Sequence, residues 1–587
     1  MSSTTPPPPT EDTVSVTRDR RIRTRLIYIA GLASIVDLII SGPSTTDTYL
    51  LCTAGFDLVL GIIFVALLIH DHRLTTQSLI PTVIYLGLIG VSSASWYSPD
   101  ISFTTTFIWL RILRGCLILH VLAEHIQDLH QYDMYENITH RYSKSPALVF
   151  LLSFAVVIFV GTILLAQSAF TTSGDATPIL DAFFTATSAT CVTGLTTLDT
   201  GTHWNLGGQI VVLVLIQVGA LGIMSLVSVC FLLLKERMAL TDEQIVGRSL
   251  SASSRTMAPM KATVRRVVLW AVTFEVLGFC LLARLWPTES EPAYWDALFH
   301  SISAFCNAGF SLESSSLMNF GKNPLILTVI MTLIIMGGLG VTVLINMGQQ
   351  CVSRWRGKRK YVLSLQTRIV LLSTLSLLVL GSFSFAITEW RGVLRDMEPG
   401  EGVFFCLFQA TTSRTAGFNT VDIDSLSDAS LVTTMALMFI GGSPASTAGG
   451  IKTTTFFLLL LAIWGILKNR EEPQIFGRTI PRANLYRATA IFTLGLGILL
   501  LFSILILAIE QKNPACSFRS IVFEVFSAFG TVGLSAGITA KLSGLSKFLV
   551  CILMFLGRIG PITLAVALTT GEAPRSRTFP YEGVGVG

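Results

Sequence analysis

The sequence predicts an all-α polytopic membrane protein. Four parallel repeats, each a span, a re-entrant loop and a second span, are preceded by four extra transmembrane helices. Three observations support this fold class. The 587 residues are 51% hydrophobic and 13% charged, and the mean hydropathy of +0.66 lies outside the soluble range. Apolar runs recur along nearly the whole chain, and about 20 apolar residues cross a hydrocarbon core of roughly 30 Å. Finally, one unit of constant design occurs four times.

The N-terminal quarter of the chain is predicted to contain a tail and a membrane extension. Residues 1–25 join a proline run to an arginine cluster without a small-residue cleavage site, which predicts a disordered cytoplasmic tail and not a removed signal peptide. The following segment, 26–146, is predicted to be a four-helix extension with candidate spans at about 26–42, 53–70, 78–95 and 105–123.

Charged residues in this extension raise the question of voltage sensing. The fourth span contains Arg111 and Arg114, while Asp37 and Asp57 lie in or near the first two spans. Two arginines are few for a sensor, because each charge that crosses the whole field supplies only about 2.3 kcal/mol per 100 mV. Static ion pairing or an interfacial position is the favoured interpretation, and voltage sensing is the alternative.

Four repeats are predicted after the extension, at 147–235, 236–350, 351–467 and 468–587, the last with a short C-terminal tail. Each contains a small polar turn around one glycine, and these glycines are separated by 115, 108 and 116 residues. Each turn follows an apolar run too short to cross a membrane, which is typical of a re-entrant half-helix. The turns are "ATCVTGLTT" around Gly194, "AFCNAGFSL" around Gly309, "TSRTAGFNT" around Gly417 and "AFGTVGLSA" around Gly533.

The charge pattern predicts the orientation of the repeats. The segments 235–266, 354–368 and 468–487 carry seven, six and five Lys or Arg residues, whereas 171–206 carries none. By the positive-inside rule, both termini are cytoplasmic and all four turns enter from outside, an interpretation that leaves no basic surface for nucleic acid. Because two spans and a re-entrant loop keep every repeat the same way up, four copies surround a central axis, which is the geometry of a pore.

The composition of the turns is typical of a binding site for a dehydrated cation. A ring of backbone carbonyls can replace a hydration shell if the backbone points its oxygens inward. Glycine makes such backbone conformations accessible without a Cβ clash. The half-helices also direct their partly negative C-terminal ends towards the cavity, which favours a cation. Ordinary turn or helix-packing glycines are the alternative, and four matching positions argue against it.

Other chemistry is not predicted for this chain. The ten cysteines form no C-x-x-C pair and no metal-ligand spacing with histidine, so neither a metal centre nor a disulfide framework is expected. The sequence also contains no phosphate-binding P-loop. The glycines of "MGGLGV" at 336–341 and "LGLG" at 494–497 are interpreted as positions of close helix packing. An ATP-driven enzyme is therefore excluded.

The four turns, "FIGGSPASTAGGIKTTTF" at 439–456 and "LMFLGRIGPITL" at 553–564 together resemble the Trk/Ktr/HKT superfamily of potassium transporters. The resemblance covers about 145–587 and is closest to the bacterial Trk/Ktr membrane subunit, including the final "FPYEGVGVG". It implies potassium uptake across a bacterial inner membrane by a multi-pass protein that is not an enzyme. The superfamily core needs only the four repeats, so the extension is an addition.

The resemblance implies a selectivity filter in which K⁺ is the only bound metal ion. In the superfamily, glycine at all four positions accompanies potassium, and serine in the first repeat accompanies sodium preference. Four glycines therefore favour K⁺, and a sodium-permeable or weakly selective cation transporter is the alternative. The implied filter residues are Val192, Thr193, Gly194, Asn307, Ala308, Gly309, Thr415, Ala416, Gly417, Thr531, Val532 and Gly533.

A gate is predicted in the second span of repeat 3, where glycines, serines and a proline make a continuous helix improbable. The resemblance implies a loop below the filter that obstructs conduction, with an intramembrane arginine as a barrier. The alternatives are a kinked packing helix, an arginine paired with backbone carbonyls, and a lysine that snorkels to the interface. The implied gate residues are Gly441, Gly442, Ser443, Pro444, Ala445, Ser446, Thr447, Ala448, Gly449, Gly450, Lys452 and Arg558.

The resemblance also implies partners. It predicts a homodimer in the lipid bilayer, each chain with its own pore, and a cytoplasmic ring of nucleotide-binding regulatory subunits of the RCK type. This chain itself is expected to bind no cofactor, so nucleotide would act only through that ring. The sequence leaves open whether transport depends on Na⁺ or H⁺, which nucleotide the partner binds, and what the extension contributes.

Overall fold

Helices form almost all of the regular structure in the described part of this protein. The computed structural model describes residues 146–222, 257–287, 293–355, 363–469 and 473–560. The predicted N-terminal tail, the four spans of the extension with their charged residues, and the C-terminal tail lie outside the described residues. Apart from two short stretches, 167–169 and 173–176, the described residues belong to one compact unit.

The helices are grouped here under the four predicted repeats. Repeat 1 contains α1 (Pro146–Leu165), α2 (Ile179–Thr190), α3 (Thr200–His203) and α4 (Leu206–Gly222). Repeat 2 contains α5 (Met257–Leu285), α6 (Ala293–Cys306), α7 (Pro324–Leu339) and α8 (Val341–Trp355). Repeat 3 contains α9 (Leu365–Thr388), α10 (Pro399–Thr412), α11 (Asp428–Phe439) and α12 (Thr453–Leu467). Repeat 4 contains α13 (Arg482–Ile509), α14 (Phe518–Gly530) and α15 (Gly544–Ile559).

The connections contain short 3₁₀ helices and one hairpin. Strands β1 (Gln474–Ile475) and β2 (Arg478–Thr479) pair antiparallel, and both residues of their turn, Phe476 and Gly477, have positive φ, as tight hairpins require. The 3₁₀ helices are Ser168–Phe170, Met318–Phe320, Val393–Asp396, Ile423–Ser425, Glu510–Lys512 and Thr539–Lys541.

Several of these helices suit a membrane. Within the described ranges, three are long and apolar enough to cross one: Arg265–Leu285, Leu365–Thr388 and Arg482–Lys512. The pair α7 and α8 passes the same test as one span bent by 103°. Shorter apolar helices include α4, α11 and α12. The helical membrane fold predicted from hydropathy is therefore confirmed.

The short helices that precede the turns lie inside the protein. Each of α2, α6 and α10 packs on the first helix of its own repeat, and α14 packs on both α13 and α15. Contacts between repeats run from α2 to α15, from α7 to α10 and from α11 to α14. Most residues of α2 and α14 are buried. Each short helix consequently points its C-terminal end into the interior.

The bend between α7 and α8 occurs at Gly340, which has a φ of +81°. A positive φ is easily adopted only by glycine, so this residue ends one helix and allows the next to leave at a new angle. Close packing was the prediction for "MGGLGV", and it is right for Gly337, whose place could not hold a Cβ without a clash. The break at Gly340 was not predicted.

The two glycines of "LGLG" also differ from each other in how closely they are packed. A Cβ on Gly495 would contact the side chains of Ile451 and Phe529 at 3.0 and 3.3 Å, whereas a Cβ on Gly497 would meet no atom of the described residues within 4 Å. Among the described residues, the predicted close packing is therefore correct for Gly495 and is not found at Gly497.

Two connections between helices are held by the same carboxylate arrangement. Glu389 Oε1 accepts hydrogen bonds from both the backbone N–H and the hydroxyl of Ser427, at 2.9 and 2.8 Å. Glu510 Oε1 accepts the same pair from Ser543, at 2.9 and 2.5 Å. Each serine is the N-cap of the next helix, α11 or α15. These glutamates thereby fix where the second helices of repeats 3 and 4 begin.

Candidate functional site

The four glycine turns share one backbone conformation. Gly194, Gly309, Gly417 and Gly533 have φ values of +93°, +70°, +82° and +93°. The residue two positions earlier also has positive φ in every turn, although it has a side chain; these residues are Val192, Asn307, Thr415 and Thr531. Positive φ is costly for residues with a Cβ and concentrates at functional sites. Its recurrence in four turns indicates a constraint imposed by the surrounding structure.

The turns form a closed ring. A Cβ placed on each glycine would lie closer than 3.0 Å to one backbone carbonyl oxygen of another turn, a separation that real Cβ atoms essentially never show. Gly194 faces Ala308 in this way, and Gly533 faces Thr193, which returns the ring to its start. The remaining pairs are Gly309 with Ala416 and Gly417 with Val532. Each contact joins one repeat to the next, so all twelve residues predicted as the filter lie together.

A side-chain contact supports the ring between repeats 2 and 3. The amide of Asn307 and the hydroxyl of Thr415 lie 3.3 Å apart. With the amide oriented so that its oxygen accepts from Thr415, its nitrogen donates to the carbonyls of Ala304 and Ile334 at 3.2 and 3.1 Å. Asn307 is almost fully buried. It therefore anchors its turn from behind to a neighbouring turn and to α7.

Hydroxyl groups on the preceding helices hold the turns, and the sequence analysis missed them. In repeat 1 the N–H of Gly194 donates to Ser188 Oγ at 3.1 Å, and in repeat 4 the N–H of Gly533 donates to Ser527 Oγ at the same distance. In both repeats the serine lies six residues before the glycine.

Repeats 2 and 3 use a hydroxyl differently. Ser303 donates to the carbonyl of Phe310 at 2.8 Å, and Thr412 donates to the carbonyl of Phe418 at 2.6 Å. Both carbonyls follow directly after the glycine of their turn. The available signal in the sequence was a serine or threonine five or six residues before each glycine, which a comparison of the four turns could have found.

Glycines on the second helices allow these helices to approach the turns. In repeats 1, 2 and 4, one such glycine lies against the carbonyl oxygen of the residue four positions before the filter glycine, and a Cβ there would come closer than 3.0 Å. The pairs are Gly219 with Thr190, Gly337 with Phe305, and Gly557 with Phe529. The corresponding glycine of repeat 3, Gly441, instead lies against the carbonyl of Gly449.

The second helix of repeat 3 is interrupted, as its glycines and proline predicted. Helix α11 ends at Phe439 and α12 begins at Thr453. The ends of the intervening loop are joined, because the N–H of Gly441 donates to the carbonyl of Ile451 at 2.8 Å and the N–H of Ile451 donates to that of Phe439 at 3.2 Å. Freed backbone groups are thus paired within the protein, as an intramembrane loop requires.

The same loop occupies the break between α7 and α8. The last carbonyls of α7 and the first N–H of α8 have no partners within their own helices, and the loop supplies them. Three backbone hydrogen bonds do this: Ser443 N–H to Gly338 at 3.0 Å, Thr447 N–H to Gly337 at 3.3 Å, and Val341 N–H to Ala445 at 3.1 Å. The loop and the bend at Gly340 consequently form one structural element.

The loop also touches two of the four glycine turns. The hydroxyl of Thr447 donates to the carbonyl of Phe305 at 3.4 Å, close to the turn of repeat 2. In repeat 4, the side chain of Thr531 lies so near Gly449 that a Cβ on this glycine would clash with it. The loop therefore lies directly against two of the four turns, and its movement would change their surroundings.

Two cations predicted for the gate bind backbone carbonyls. Buried Arg558 donates from Nη1 to the carbonyl of Thr447, in the loop, and from Nη2 to the carbonyl of Gly219, in repeat 1, at 3.1 Å. Lys452 Nζ donates to the carbonyl of Ala448 at 2.5 Å. Pairing with backbone carbonyls was one interpretation of the arginine, and the structure shows it. The Nζ of Lys452 thus bonds within the loop.

Another cation, Arg414, is buried and was not predicted from the sequence. It immediately precedes Thr415, and its Nη2 donates to the carbonyl of Gly441 at 3.5 Å. Its Nε has no hydrogen-bond partner among the described residues. An arginine is present in only one of the four turns, "TSRTAGFNT", which was the available signal. Arg414 thus connects the turn of repeat 3 to the start of the loop.

These cations have no carboxylate partner in the described ranges, where the ion pairs are Arg519 with Asp428 and Lys547 with Asp181. An unpaired charge in a low-dielectric interior acts over several ångströms. The region beside the loop is therefore electropositive, while the turns present carbonyl oxygens. Such an arrangement can attract a cation at the ring and oppose it at the loop.

Comparison with known proteins gives consistent matches. The TrkH family, described as a cation transport protein, matches residues 123–576. The potassium/sodium uptake protein NtpJ of Enterococcus hirae is 36% identical over 449 residues, which cover 76% of this chain and 97% of the relative. Ktr system potassium uptake protein B of Vibrio alginolyticus is 36% identical over 442 residues, covering 74% and 94%.

A solved structure shows the same fold. The crystal structure of the potassium transporter TrkH from Vibrio parahaemolyticus superposes with a TM-score of 0.59, over 84% of this chain and 97% of that chain. The two sequences are 18% identical across this match, so the likeness concerns the fold alone.

Proposed function

Because the chain belongs to the TrkH family of cation transport proteins, we propose that it is a plasma-membrane subunit that takes up K⁺ through the ring of glycine turns. The family consists of transporters, not enzymes. The observation that carries the proposal is the closed ring, in which each filter glycine lies against a carbonyl oxygen of a neighbouring turn. Relatives named as potassium uptake proteins support K⁺ as the transported ion.

The filter is proposed to comprise the last three residues of each turn, ending in Gly194, Gly309, Gly417 and Gly533. Their carbonyls replace the hydration shell of the ion. Four half-helices end at the ring, and each contributes a partial negative charge of roughly half an elementary charge. Four parallel repeats, with the boundaries predicted from the sequence, supply these half-helices around one pore.

A second candidate function is weakly selective transport of monovalent cations. The relative from Enterococcus hirae is named a potassium/sodium uptake protein, and this name supports the second candidate. Glycine at all four ring positions favours the potassium-selective function.

The loop at Gly441–Gly450, together with Lys452 and Arg558, is proposed to be the gate. Its support is the hydrogen bond from Arg558 to Thr447 and the contact of the loop with two filter turns. A cation passing about 5 Å from one arginine would meet roughly 3 kcal/mol of repulsion at an effective dielectric constant of about 20. Opening would require the loop to withdraw and the arginine to lose its carbonyl partner.

The assembly is proposed to be a homodimer in a bacterial inner membrane, with both termini cytoplasmic. Its regulation is assigned to a ring of RCK-type nucleotide-binding subunits, since the matched relatives are named as members of a Ktr system. In this proposal, nucleotide acts on transport only through that ring, and transport also depends on Na⁺.

The test is ⁸⁶Rb⁺ uptake into proteoliposomes that contain the chain and an internal K⁺ load. Uptake that external K⁺ blocks and external Na⁺ does not would support a potassium filter. Equal block by both ions would support the weakly selective alternative. If folded protein with its cognate cytoplasmic partner shows no uptake, the transport proposal is wrong.

A further inference from the structure

Buried residues of α6 and α14 bind the chain just beyond the filter in the same way. His300 lies nine residues before Gly309 and is fully buried. Its Nε2 lies 2.9 Å from the hydroxyl of Ser311, two residues after that glycine. Because Nδ1 lies 2.8 Å from the carbonyl of Asp296, Nδ1 donates to it in the neutral ring, and Nε2 accepts the Ser311 hydroxyl proton.

Repeat 4 repeats this arrangement with a different acceptor. Glu524 lies nine residues before Gly533 and is almost fully buried. Its Oε1 accepts a hydrogen bond from Ser535, two residues after the glycine, at 3.1 Å, and another from Thr539. The backbone around the serine also matches, since Gly537 N–H donates to Ser535 Oγ at 3.0 Å.

The matching bond in repeat 2 runs from the N–H of Glu313 to Ser311 Oγ, also at 3.0 Å. In both repeats, therefore, one serine hydroxyl accepts from the backbone two residues later and donates to the half-helix. We name each such pair, His300 with Ser311 and Glu524 with Ser535, a mouth brace.

Repeats 1 and 3 lack this bond at the equivalent helix position. In repeat 1 the position is Thr185, whose hydroxyl has no hydrogen-bond partner among the described residues. In repeat 3 it is Phe408, which has no polar side-chain atom. Since the ring contacts run from each repeat to the next, the two braced repeats lie across the ring from each other.

In repeats 1 and 3, which have no mouth brace, the chain that follows the filter glycine contacts repeat 2. In repeat 3, the backbone N–H of Asn419 donates to Ser316 Oγ at 3.3 Å. Its backbone carbonyl accepts from the N–H of Leu317 at 3.0 Å. In repeat 1, Gly201 lies against the carbonyl of Leu312 so closely that a Cβ would clash. Ser311 begins the segment of repeat 2 that makes these contacts with repeats 1 and 3. By binding Ser311, His300 therefore also supports the contacts between repeat 2 and its two neighbours.

We infer that His300 and Glu524 are positioning residues for ion selectivity, which hold the outer mouth of the filter through Ser311 and Ser535. The inference rests on the proposed filter. The selectivity of a carbonyl ring depends on the size of its cavity and on the number and field strength of its carbonyl dipoles, and both change when the backbone of a turn moves. In repeats 2 and 4, the half-helix anchors the chain before the filter glycine, and the mouth brace anchors it after the glycine.

The test removes only the serine hydroxyls. Ser311→Ala and Ser535→Ala are compared with wild type by the ratio of external Na⁺ to K⁺ concentrations that halve ⁸⁶Rb⁺ uptake. Loss of one hydrogen bond is expected to lower this ratio about three- to tenfold. Ser311→Thr and Ser535→Thr retain the hydroxyl and are expected to restore it. Thr185 occupies the position in repeat 1 that His300 and Glu524 occupy in repeats 2 and 4. Thr185→Val removes a hydroxyl that has no partner among the described residues, and it is expected to leave the ratio unchanged.

A second measurement distinguishes positioning from folding. Glu524→Leu combined with Ser535→Ala should lower the ratio no further than the more severe single variant, because both remove the same bond. If the serine-to-alanine variants unfold at lower temperature yet keep the wild-type ratio, the braces are structural only and the inference is wrong. An equal loss in Thr185→Val would also overturn it. A wild-type chain without K⁺-selective uptake would instead refute the proposed function.

Discussion

Arg558 donates a hydrogen bond to the backbone carbonyl of Thr447, joining the last described helix to a loop 111 residues earlier in the chain. A second bond from the same guanidinium reaches Gly219 in repeat 1. One side chain thereby connects repeats 1, 3 and 4 beside the filter turns. Because its charge has no carboxylate partner in the described ranges, the arginine is suited to hold the loop and to repel a passing cation.

Replacement of this arginine should open the pathway. Arg558→Ala removes both the charge and the two bonds, so basal ⁸⁶Rb⁺ uptake is expected to rise about tenfold, consistent with charged hydrogen bonds of about 1.5–3 kcal/mol. Arg558→Lys keeps the charge and is expected to give a smaller rise. Uptake by the purified chain measures the effect. Unaltered flux in Arg558→Ala would remove the arginine from the proposed barrier.

The first filter glycine should be intolerant of any side chain. Gly194→Ser places a Cβ against the carbonyl of Ala308 and strains a φ of +93°, so discrimination between K⁺ and Na⁺ is expected to fall about tenfold or more. Competition of each ion with ⁸⁶Rb⁺ provides the measurement. Gly477→Ala is the control, because that glycine has a φ of +71° and its Cβ would meet no atom of the part of the chain that the structure describes. Preserved selectivity in Gly194→Ser would contradict the filter assignment.

The glycines of the second helices should be needed for stability. Gly557→Ala brings a Cβ into the carbonyl of Phe529, and overpacking of this kind costs about 1–3 kcal/mol. A lower unfolding temperature in detergent is the expected result. Gly497→Ala is the matched control on α13, where a Cβ meets no described atom within 4 Å and alanine favours the helix by up to about 1 kcal/mol. Similar unfolding temperatures for the two variants would refute this packing role.

The outer carboxylate at Glu389 should make stability depend on pH. Burial alone would raise its pKa, but hydrogen bonds from Ser430, Ser427 and the N–H of Val393 outweigh burial and lower it below the ordinary value of 4.5. A lowered pKa contributes stability above the unfolded-state value, and this contribution is lost as pH falls through the folded-state value.

We therefore expect Glu389→Gln to lower the unfolding temperature at pH 7 and to approach wild type as the pH falls below about 4.5. Thermal unfolding of both proteins across this range is the measurement. Exposed Glu398→Gln serves as the control. A difference between Glu389→Gln and wild type that stays constant with pH would show that charge on Glu389 contributes nothing.

The sequence by itself determined the features that depend on the composition of one segment. Hydropathy identified helices for a membrane, and glycine and proline identified the interruption between Phe439 and Thr453. The four turns were found because each needs a residue that tolerates positive φ, and glycine supplies it at Gly194 and its three counterparts. Local backbone preferences are encoded where they act, so they can be predicted without a partner.

Only the tertiary structure decided which segments meet. Arg414 is one charged residue in a sequence, and its contact with Gly441 depends on how α10 and the loop pack. Gly340 resembles a packing glycine until the loop that satisfies its freed backbone groups is in place. The bond from the Ser311 hydroxyl to His300 Nε2 likewise requires the turn between them to fold back. These contacts depend on three-dimensional proximity, and no local preference of either residue specifies it.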